Sequence, residues 1–418
     1  MRVLLLSTYD LGRQPTGLAA AAAAHRAAGD AVVCVDTSRD RLTDEAIAGA
    51  DRISVYLPMH TATRLAVPLV ARARRIKPDV RITAFGLYAQ LNAGFLLERG
   101  VDAIEDDAAP LAFDRTGLPS PDRYATLQMP DGSHRIAGTT DATRGCKHLC
   151  RHCPIVPIYK GRFRATPADV VLADIAAQVR AGAQHITFGD PDFFNGPTHA
   201  RRIVEQLAAA HPGVTYDVTI KVEHLLKHAD LLPSLRDTGC VFVTTAVESV
   251  DDRVLEKLAK GHTRADFVRS VELARDVGLT LSPTFVAFTP WTTLDSYLDL
   301  LETIEALDLV EHVAPIQLAI RLLVTAGSPL LDLDDIRARV APFDGASLTW
   351  PWHHEDPAVD RLQAEVMRAV GVKLRASRQA AFDAAMDLAR AAVGRPARGS
   401  RPIRDRATVP YLNEPWYC

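Results

Sequence analysis

The sequence lacks several features that would place it in a specialised class. Its 418 residues carry 48 Lys and Arg against 51 Asp and Glu, so the net charge of -3 provides no electrostatic case for nucleic acid or an anionic membrane as partner. No run approaches the roughly 18 continuous apolar residues of a membrane span. The apolar start, residues 1–6, is interrupted by Asp10 and Arg13 before it reaches the length of a signal peptide. Six cysteines are too few for a disulfide scaffold. We therefore expect a cytoplasmic protein without nucleic-acid or membrane partners.

Three of the six cysteines lie close together in the chain. Cys146, Cys150 and Cys153 form a C-x3-C-x2-C triplet. Thiolate sulfur is a soft ligand that favours iron–sulfur clusters and zinc. A four-iron cluster held by three cysteines keeps one iron free of protein ligands, and that iron can bind a substrate or a cofactor. Structural zinc needs a fourth ligand, for which His148 or His152 is available, but it usually shows C-x2-C pairs. The spacing favours the cluster, with zinc as the alternative.

The chain alternates short apolar runs with alanine-rich helical stretches, in two series. Over residues 1–105 the pattern indicates a parallel sheet with helices on both faces. Residues 106–135 are rich in Asp, Pro and Gly and are interpreted as a linker. A second series, over residues 136–326, contains six strand–helix steps, fewer than the eight of a closed barrel. Residues 327–418 are interpreted as a helical extension, with a long helical stretch at 359–393 and an aromatic, cysteine-ended tail.

The cysteine spacing, the Thr-Arg-Gly that precedes it and its position after a strand-like run at 136–140 resemble the radical S-adenosylmethionine (SAM) superfamily. The resemblance implies an α/β fold: an N-terminal Rossmann-like, cobalamin-binding-like domain, a partial (β/α)6 barrel and a helical C-terminal region. It also implies a [4Fe-4S] cluster on Cys146, Cys150 and Cys153, SAM bound at the open iron, and an electron donor such as flavodoxin or ferredoxin. In this family one electron breaks a carbon–sulfur bond of SAM and a carbon radical results.

Two strand ends of the second series carry the predicted SAM contacts. Gly189 and Asp190 follow the second strand, with Asp192 behind them, and resemble the family motif that receives the methionine amine. Asp190 stands where the family commonly has glutamate. Glu248 and Ser249 end the fourth strand and resemble a Glu-Ser pair that approaches the ribose or the methionine portion. A helix cap is the alternative for this pair.

Further candidates lie on or beside the cysteine loop and the other strands. His152 stands where the family tends to place an aromatic residue near adenine. Arg321, in a sixth strand predicted at 316–324, is interpreted as a ligand of the cofactor carboxylate, the alternative being an outward-facing arginine. Lys221 and Glu223 alternate at the end of the third strand. They are candidate catalytic residues, or an ion pair with each other.

The two ends of the chain bear on the branch within the superfamily. The N-terminal architecture resembles the cobalamin-binding branch, although the Asp-x-His-x-x-Gly signature is missing. Cobalamin is therefore an additional candidate cofactor, and a purely structural domain is the alternative. Residues 414–418, Glu-Pro-Trp-Tyr-Cys, resemble the tail of the CUAEP/CCAEP-tail radical SAM (seleno)protein group. This resemblance makes Cys418 a third catalytic candidate and predicts selenocysteine, encoded by UGA, at the next codon. An accidental thiol is the alternative.

The sequence therefore predicts a radical SAM enzyme that cleaves SAM reductively and modifies, or transfers a group to, a small molecule. Chemistry linked to arsenic, selenium or sulfur is one version of this prediction. A cobalamin-dependent radical SAM methyltransferase is the second candidate. A non-catalytic zinc or iron–sulfur protein is the third.

Overall fold

The first hundred residues form a parallel sheet covered by helices. The computed structural model describes residues 1–106, 109–372, 377–398 and 408–413. The elements of this part are β1 (Arg2–Ser7), α1 (Thr16–Ala27), β2 (Ala31–Asp36), α2 (Asp44–Gly49), β3 (Arg52–Tyr56), α3 (His60–Ile76), β4 (Arg81–Phe85), α4 (Leu87–Leu91), α5 (Ala93–Glu98) and β5 (Ala103–Ile104). The strand order is β2-β1-β3-β4-β5, and all neighbours are parallel. The predicted Rossmann-like sheet is confirmed.

The carboxyl edge of this sheet faces the rest of the chain. The ring of His60, at the start of α3, hydrogen-bonds the backbone carbonyl of Ser347. The ring of Phe95, in α5, lies against Gly345. Open parallel sheets bind ligands at this edge. The edge where such a sheet would hold a ligand is thus turned toward the second half of the molecule.

The second half is built on a curved, mostly parallel sheet. Its elements are β6 (Thr126–Gln128), β7 (His134–Thr140), β8 (Thr143–Gly145), α6 (Val156–Tyr159), β9 (Phe163–Ala165), α7 (Ala168–Arg180), β10 (His185–Phe188), α8 (Pro197–Ala210), β11 (Thr215–Thr219), α9 (Val222–Lys227), α10 (Leu232–Asp237), β12 (Cys240–Glu248), α11 (Asp252–Lys257), α12 (Arg264–Val277), β13 (Leu281–Phe285), α13 (Leu294–Ala306), α14 (Asp334–Arg337), α15 (Pro357–Val372), α16 (Arg378–Ala392) and β14 (Tyr411–Leu412). The strand order is β13-β12-β11-β10-β7-β6-β14, parallel from β7 to β13 and antiparallel beyond β7. Strands β8 and β9 form a separate antiparallel hairpin. The predicted α/β partial barrel is confirmed.

Two local predictions differ from the structure. The run at 316–324 does not form a sixth strand, because Pro315–Leu318 is a 3-10 helix and only an isolated bridge joins Arg321 to Phe288. The stretch interpreted as a linker contributes β6 and the start of β7 to the large sheet. Three-residue strands such as β6 are too short for a periodic pattern to reveal.

The C-terminal helices close one face of the barrel. The helical stretch predicted at 359–393 is present as α15 and α16. Their apolar side chains, among them Val366, Val370, Phe382 and Met386, are fully buried against the sheet-covering helices. Among the described residues, no helix is long and apolar enough to cross a membrane.

Candidate active site

The hairpin β8–β9 holds the start of the cysteine loop. Gly145 ends β8 with φ +83°, a left-handed backbone conformation that residues other than glycine rarely adopt. A Cβ atom on Gly145 would lie 2.3 Å from the ring of Tyr159 and 2.6 Å from the carbonyl oxygen of Arg162. The backbone N–H of Cys146 donates to that same carbonyl, at 3.1 Å. The glycine of the Thr-Arg-Gly sequence is therefore required by the close approach of the loop to β9.

The three cysteines of the loop are free thiols. The backbone N–H groups of His148 and Ile155 donate to the sulfurs of Cys146 and Cys153. Burial raises the pKa of Cys146 to about 11 and that of Cys153 to about 12. Such thiols stay protonated at neutral pH unless a metal centre replaces the proton, and amide donors to sulfur are typical of metal–thiolate sites. The donor set therefore fits a thiolate-bound metal centre.

A buried cation lies on one side of the cysteine loop. The Lys260 ammonium is 3.3 Å from Glu248 Oε1, and His152 Nε2 is 3.1 Å from the same oxygen. Burial by itself would raise the pKa of Glu248, but the charges of Lys260 and His152 lower it to about 2. The ammonium also acts electrostatically on Cys150 and Cys153. Glu248 thus stays ionised inside the protein, next to the thiols.

Glu248 also has an unusual backbone. Its φ is +70°, outside the range normal for residues other than glycine, and the pairing of β12 with β13 is irregular between Ala246 and Glu248. Strained backbone of this kind is concentrated at functional sites. Glu248 was predicted from its position at a strand end, whereas Lys260 was not, because its Lys-Gly-His-Thr context contains no periodic or motif signal.

A second charged group contacts the loop at His148. The Lys221 ammonium is 3.1 Å from His148 Nδ1 and 3.1 Å from Glu223 Oε2. Asp192, at 1% exposure, has its Oδ2 2.7 Å from His224 Nδ1 and 3.3 Å from His148 Nε2. The ion pair between Lys221 and Glu223 that the sequence offered as one reading is present. The sequence offered His148 only as a possible zinc ligand and did not point to His224, because the contacts of these residues join the cysteine loop to α9.

The loop after β10 binds the cysteine hairpin. Asp190 accepts hydrogen bonds from the backbone N–H of Ala142 at 2.9 Å and from the hydroxyl of Thr143 at 2.6 Å. Burial raises its pKa to about 7. A Cβ on Gly189 would lie 2.4 Å from Asp141 Oδ1, so the backbone there is open only because the residue is glycine. Each carboxylate oxygen of Asp190 thus accepts a hydrogen bond from the start of the β8 hairpin, so we interpret Asp190 as holding β8 in place.

The remaining predicted residues lie in three different places. The Ser249 hydroxyl accepts from the N–H of Asp251, and the cap of α11 is Asp251 itself, whose carboxylate accepts from the N–H of Arg253. The Arg321 guanidinium binds Asp360 and the carbonyl of Trp352, each at 2.6 Å. Its charge is therefore committed to the C-terminal region, which differs from the predicted contact with a cofactor carboxylate. Cys418 lies outside the described residues.

Comparison with known proteins agrees with this geometry. Residues 141–304 match the family model of the radical SAM superfamily. The match covers less than half of the chain. The match confirms the predicted enzyme class and the two cofactors that the superfamily uses, a [4Fe-4S] cluster and SAM.

Two curated relatives modify tRNA, according to their names. The tRNA-2-methylthio-N(6)-dimethylallyladenosine synthase of Chlorobium luteolum is 28% identical over 212 residues, which are 45% of this chain and 44% of the relative. The enzyme of the same name from Sorangium cellulosum is 27% identical over 325 residues, 64% of this chain and 63% of the relative. The alignments therefore cover less than two thirds of these relatives.

Two solved structures share the fold over most of the chain. The cobalamin-dependent radical enzyme OxsB, with aqua-cobalamin and SAM bound, has a TM-score of 0.68 at 13% identity and covers 89% of this chain and 67% of its own. The methyltransferase TsrM from Kitasatospora setae, with tryptophan and a SAM analogue bound, has a TM-score of 0.62 at 16% identity and covers 82% of this chain and 77% of its own. The chain thus shares its overall fold with these two structures over most of its length.

Proposed function

We propose that the chain holds a [4Fe-4S] cluster on Cys146, Cys150 and Cys153 and cleaves SAM reductively to modify a small molecule. The observation that carries this proposal is the set of three free thiols on one loop, at the carboxyl end of the parallel strands and near two buried ammonium groups. When bound, the cluster and SAM supply a one-electron cleavage of a carbon–sulfur bond. The residues of the chain have to hold, orient and shield these groups.

The charges around the loop fit such a group. A [4Fe-4S] core of charge +2 with three thiolates carries a net charge of about -1. Lys260 is 3% exposed and Lys221 is 7% exposed, so their charges are weakly screened by solvent. Buried cations beside a buried anion offset the cost of removing it from water. These two lysines thus stabilise the ligated form of the thiols.

The same residues supply contacts for the methionine end and the ribose of SAM. We assign the methionine carboxylate to Lys260, in place of Arg321, because Lys260 is a buried cation beside the cysteine loop. Glu248 is the ionised acceptor for ribose hydroxyls or for the methionine amine. Gly189, at the end of β10, is exposed and can bring its backbone close to a ligand. Asp190 supports β8, and Asp192 orients His148 and His224.

Anaerobic reconstitution tests this proposal directly. The wild-type chain should bind about four iron and four sulfide per chain and convert SAM to 5′-deoxyadenosine in the presence of dithionite. Cys150→Ala should lose both properties. Cys240→Ala is the matched control, since Cys240 is a buried thiol of β12 outside the loop and should retain both. A chain that binds one zinc and no sulfide would support the zinc alternative and contradict the proposal.

A cobalamin-dependent methyl transfer is the second candidate. It is favoured by the fold shared with OxsB and TsrM and by the carboxyl edge of the first sheet, which faces the radical SAM domain. The loop after β1 contains no histidine. The ring of Tyr56 fills the space beside two glycines, since a Cβ added to Gly17 or Gly86 would lie 2.2 or 3.1 Å from that ring. The edge is therefore tightly packed near β3, and we assign no chemical step to cobalamin. Bound corrinoid after reconstitution, with S-adenosylhomocysteine among the SAM products, would favour this candidate, because loss of the methyl group from SAM leaves S-adenosylhomocysteine.

The substrate class is a separate part of the proposal. A small molecule is favoured by the net charge of -3, whereas the curated relatives named above act on tRNA. The version with arsenic, selenium or sulfur chemistry, and the kinship with the CUAEP/CCAEP-tail group, rest on residues 414–418, which lie outside the described residues. Incubation with a total tRNA fraction provides the test, because incorporation of a label from SAM into tRNA would contradict a small-molecule substrate.

A further inference from the structure

The outer side of the cysteine loop is strongly basic. Residues 142–168 contain six Arg or Lys and no Asp or Glu, in a chain whose net charge is -3. Lys147, Lys160 and Arg162 are all exposed. Among the described residues, none of these three takes part in an ion pair. Their charges therefore project a positive field from the loop into solvent.

An apolar side chain lies at the centre of this surface. Leu149 is 59% exposed although it is a large hydrophobic residue. Its side chain lies beside Gly161, since a Cβ there would be 3.3 Å from Leu149 Cδ2. Gly161 is flanked by Lys160 and Arg162, so the leucine and these cations belong to one surface. We call Lys147, Leu149, Lys160 and Arg162 the loop face. An apolar centre with a charged rim is typical of a protein–protein interface.

The loop face is also adjacent to the thiols in the chain. Lys147 follows Cys146 directly, and Leu149 directly precedes Cys150. Consecutive Cα atoms are about 3.8 Å apart, so a protein seated on this surface lies within a few ångströms of the backbone that carries the metal ligands. Complexes that transfer electrons are small and weak, and charge steers their formation.

We propose that the loop face docks an acidic one-electron carrier protein. The proposal deepens the proposed function, since it names the surface through which the radical SAM site receives its electron. In each turnover the carrier loses one electron, and that electron reduces SAM, which separates into methionine and a carbon-centred radical. The positive rim selects a carrier with acidic residues around its redox group, and Leu149 supplies the apolar contact.

An RNA partner is disfavoured by the composition of the surface. Surfaces that bind single-stranded nucleic acid combine cations with exposed aromatic rings on which bases stack. Within the described part of the chain, the exposed large hydrophobic residues are aliphatic. The aromatic ring at this surface, that of Phe163, is half-buried with the Lys147 ammonium over it at 5.2 Å. An acidic protein therefore fits the loop face better than RNA does.

The test compares a protein reductant with a chemical one. Lys147→Glu combined with Arg162→Glu reverses the rim, and Leu149→Ser removes the apolar centre. With reduced flavodoxin as the donor, the reversal should raise the carrier concentration needed for half-maximal 5′-deoxyadenosine formation by about tenfold and should flatten its dependence on salt. Leu149→Ser should raise it several-fold without changing the salt dependence. With dithionite, both variants should retain the wild-type rate and iron content.

Matched charge reversals at Arg180 and Arg368, which are exposed helical positions outside the loop face, are the control and should change nothing. Equal flavodoxin-dependent rates in the reversed variant and the wild type would overturn the proposal. The proposal would also be overturned if the charge reversal abolished retention of tRNA on a filter but left the dependence of the rate on flavodoxin concentration unchanged. Cleavage of SAM by the wild type with dithionite tests the proposed function alone. Direct titration of flavodoxin onto the wild type and the reversed variant tests the loop face even in a chain that cleaves no SAM.

Discussion

Replacing Lys260 by methionine tests the electrostatic account of the site. Lys260→Met keeps a long apolar stem but removes an ammonium that is 3.3 Å from Glu248 Oε1 and 3% exposed. Glu248 then remains as a buried carboxylate with His152 beside it. An uncompensated buried charge is strongly destabilising. We therefore expect a large loss of stability from a substitution that leaves the packing almost unchanged.

The pKa of Glu248 sets the magnitude. Burial favours a raised pKa, but Lys260 and His152 hold it at about 2, below the ordinary value of 4.5. A shift of this size corresponds to about 3 kcal/mol, and removal of one partner from a buried pair typically costs about 3–5 kcal/mol. Because the pKa is lowered in the folded state, this stabilisation is present above about pH 4.5 and is lost as the pH falls through about 2. At pH 7 the variant should lose about 3 kcal/mol.

Urea unfolding of the cluster-free chain at pH 7, followed by circular dichroism under anaerobic conditions, measures the effect. Lys260→Met with Glu248→Gln should recover most of the loss, because both charges are then absent. Lys257→Met is the control, since its side chain is 43% exposed in an ion pair with Asp335 and should cost less than about 1 kcal/mol. The reasoning is refuted if Lys260→Met costs no more than this control, or if the double variant is no more stable than the single one.

Three further outcomes follow from the same geometry. Gly145→Ala should prevent iron binding, because its Cβ would lie 2.3 Å from the buried ring of Tyr159. Gly132→Ala is the control: its φ is +84° and the space around it is open, so it should retain full iron content and cost about 1 kcal/mol of stability. Burial raises the pKa of Asp190 to about 7, so the folded state keeps a proton that the unfolded state releases near pH 4. Because the folded state binds the extra proton, the free energy of unfolding should fall by up to about 4 kcal/mol as the pH rises from 4 to 7. Asp190→Asn should remove that fall. Unfolding curves at pH 5 and pH 8 give the change in free energy for each protein, and an equal change in the variant and the wild type would contradict the raised pKa of Asp190. Arg321→Met should lower stability by about 1–2 kcal/mol through loss of its contact with Asp360 while iron content and SAM binding stay unchanged; impaired SAM binding would restore its role as a cofactor ligand.

Local patterns in the sequence determined the class of the protein. The three thiols share one short loop, so their spacing alone indicates a metal centre. The strands of both sheets are short apolar runs separated by amphipathic helices, and this pattern specifies a parallel sheet without any knowledge of tertiary contacts. Glu248 could be predicted for the same reason, because its position at the end of a strand follows from the local sequence.

Only the tertiary structure decided which charges surround the thiols. Glu248 contacts Lys260 and His152, and His148 contacts Asp192 and Lys221. The partners in these contacts are 12 to 96 residues apart in the sequence, and no local pattern encodes them. The strand predicted at 316–324 was wrong because Pro315 starts a 3-10 helix, and an isolated bridge joins Arg321 to Phe288. The loop face was hidden for a simpler reason. Net charge is a sum over all 418 residues, and the sum of -3 conceals a segment, residues 142–168, that contains six cations and no acids.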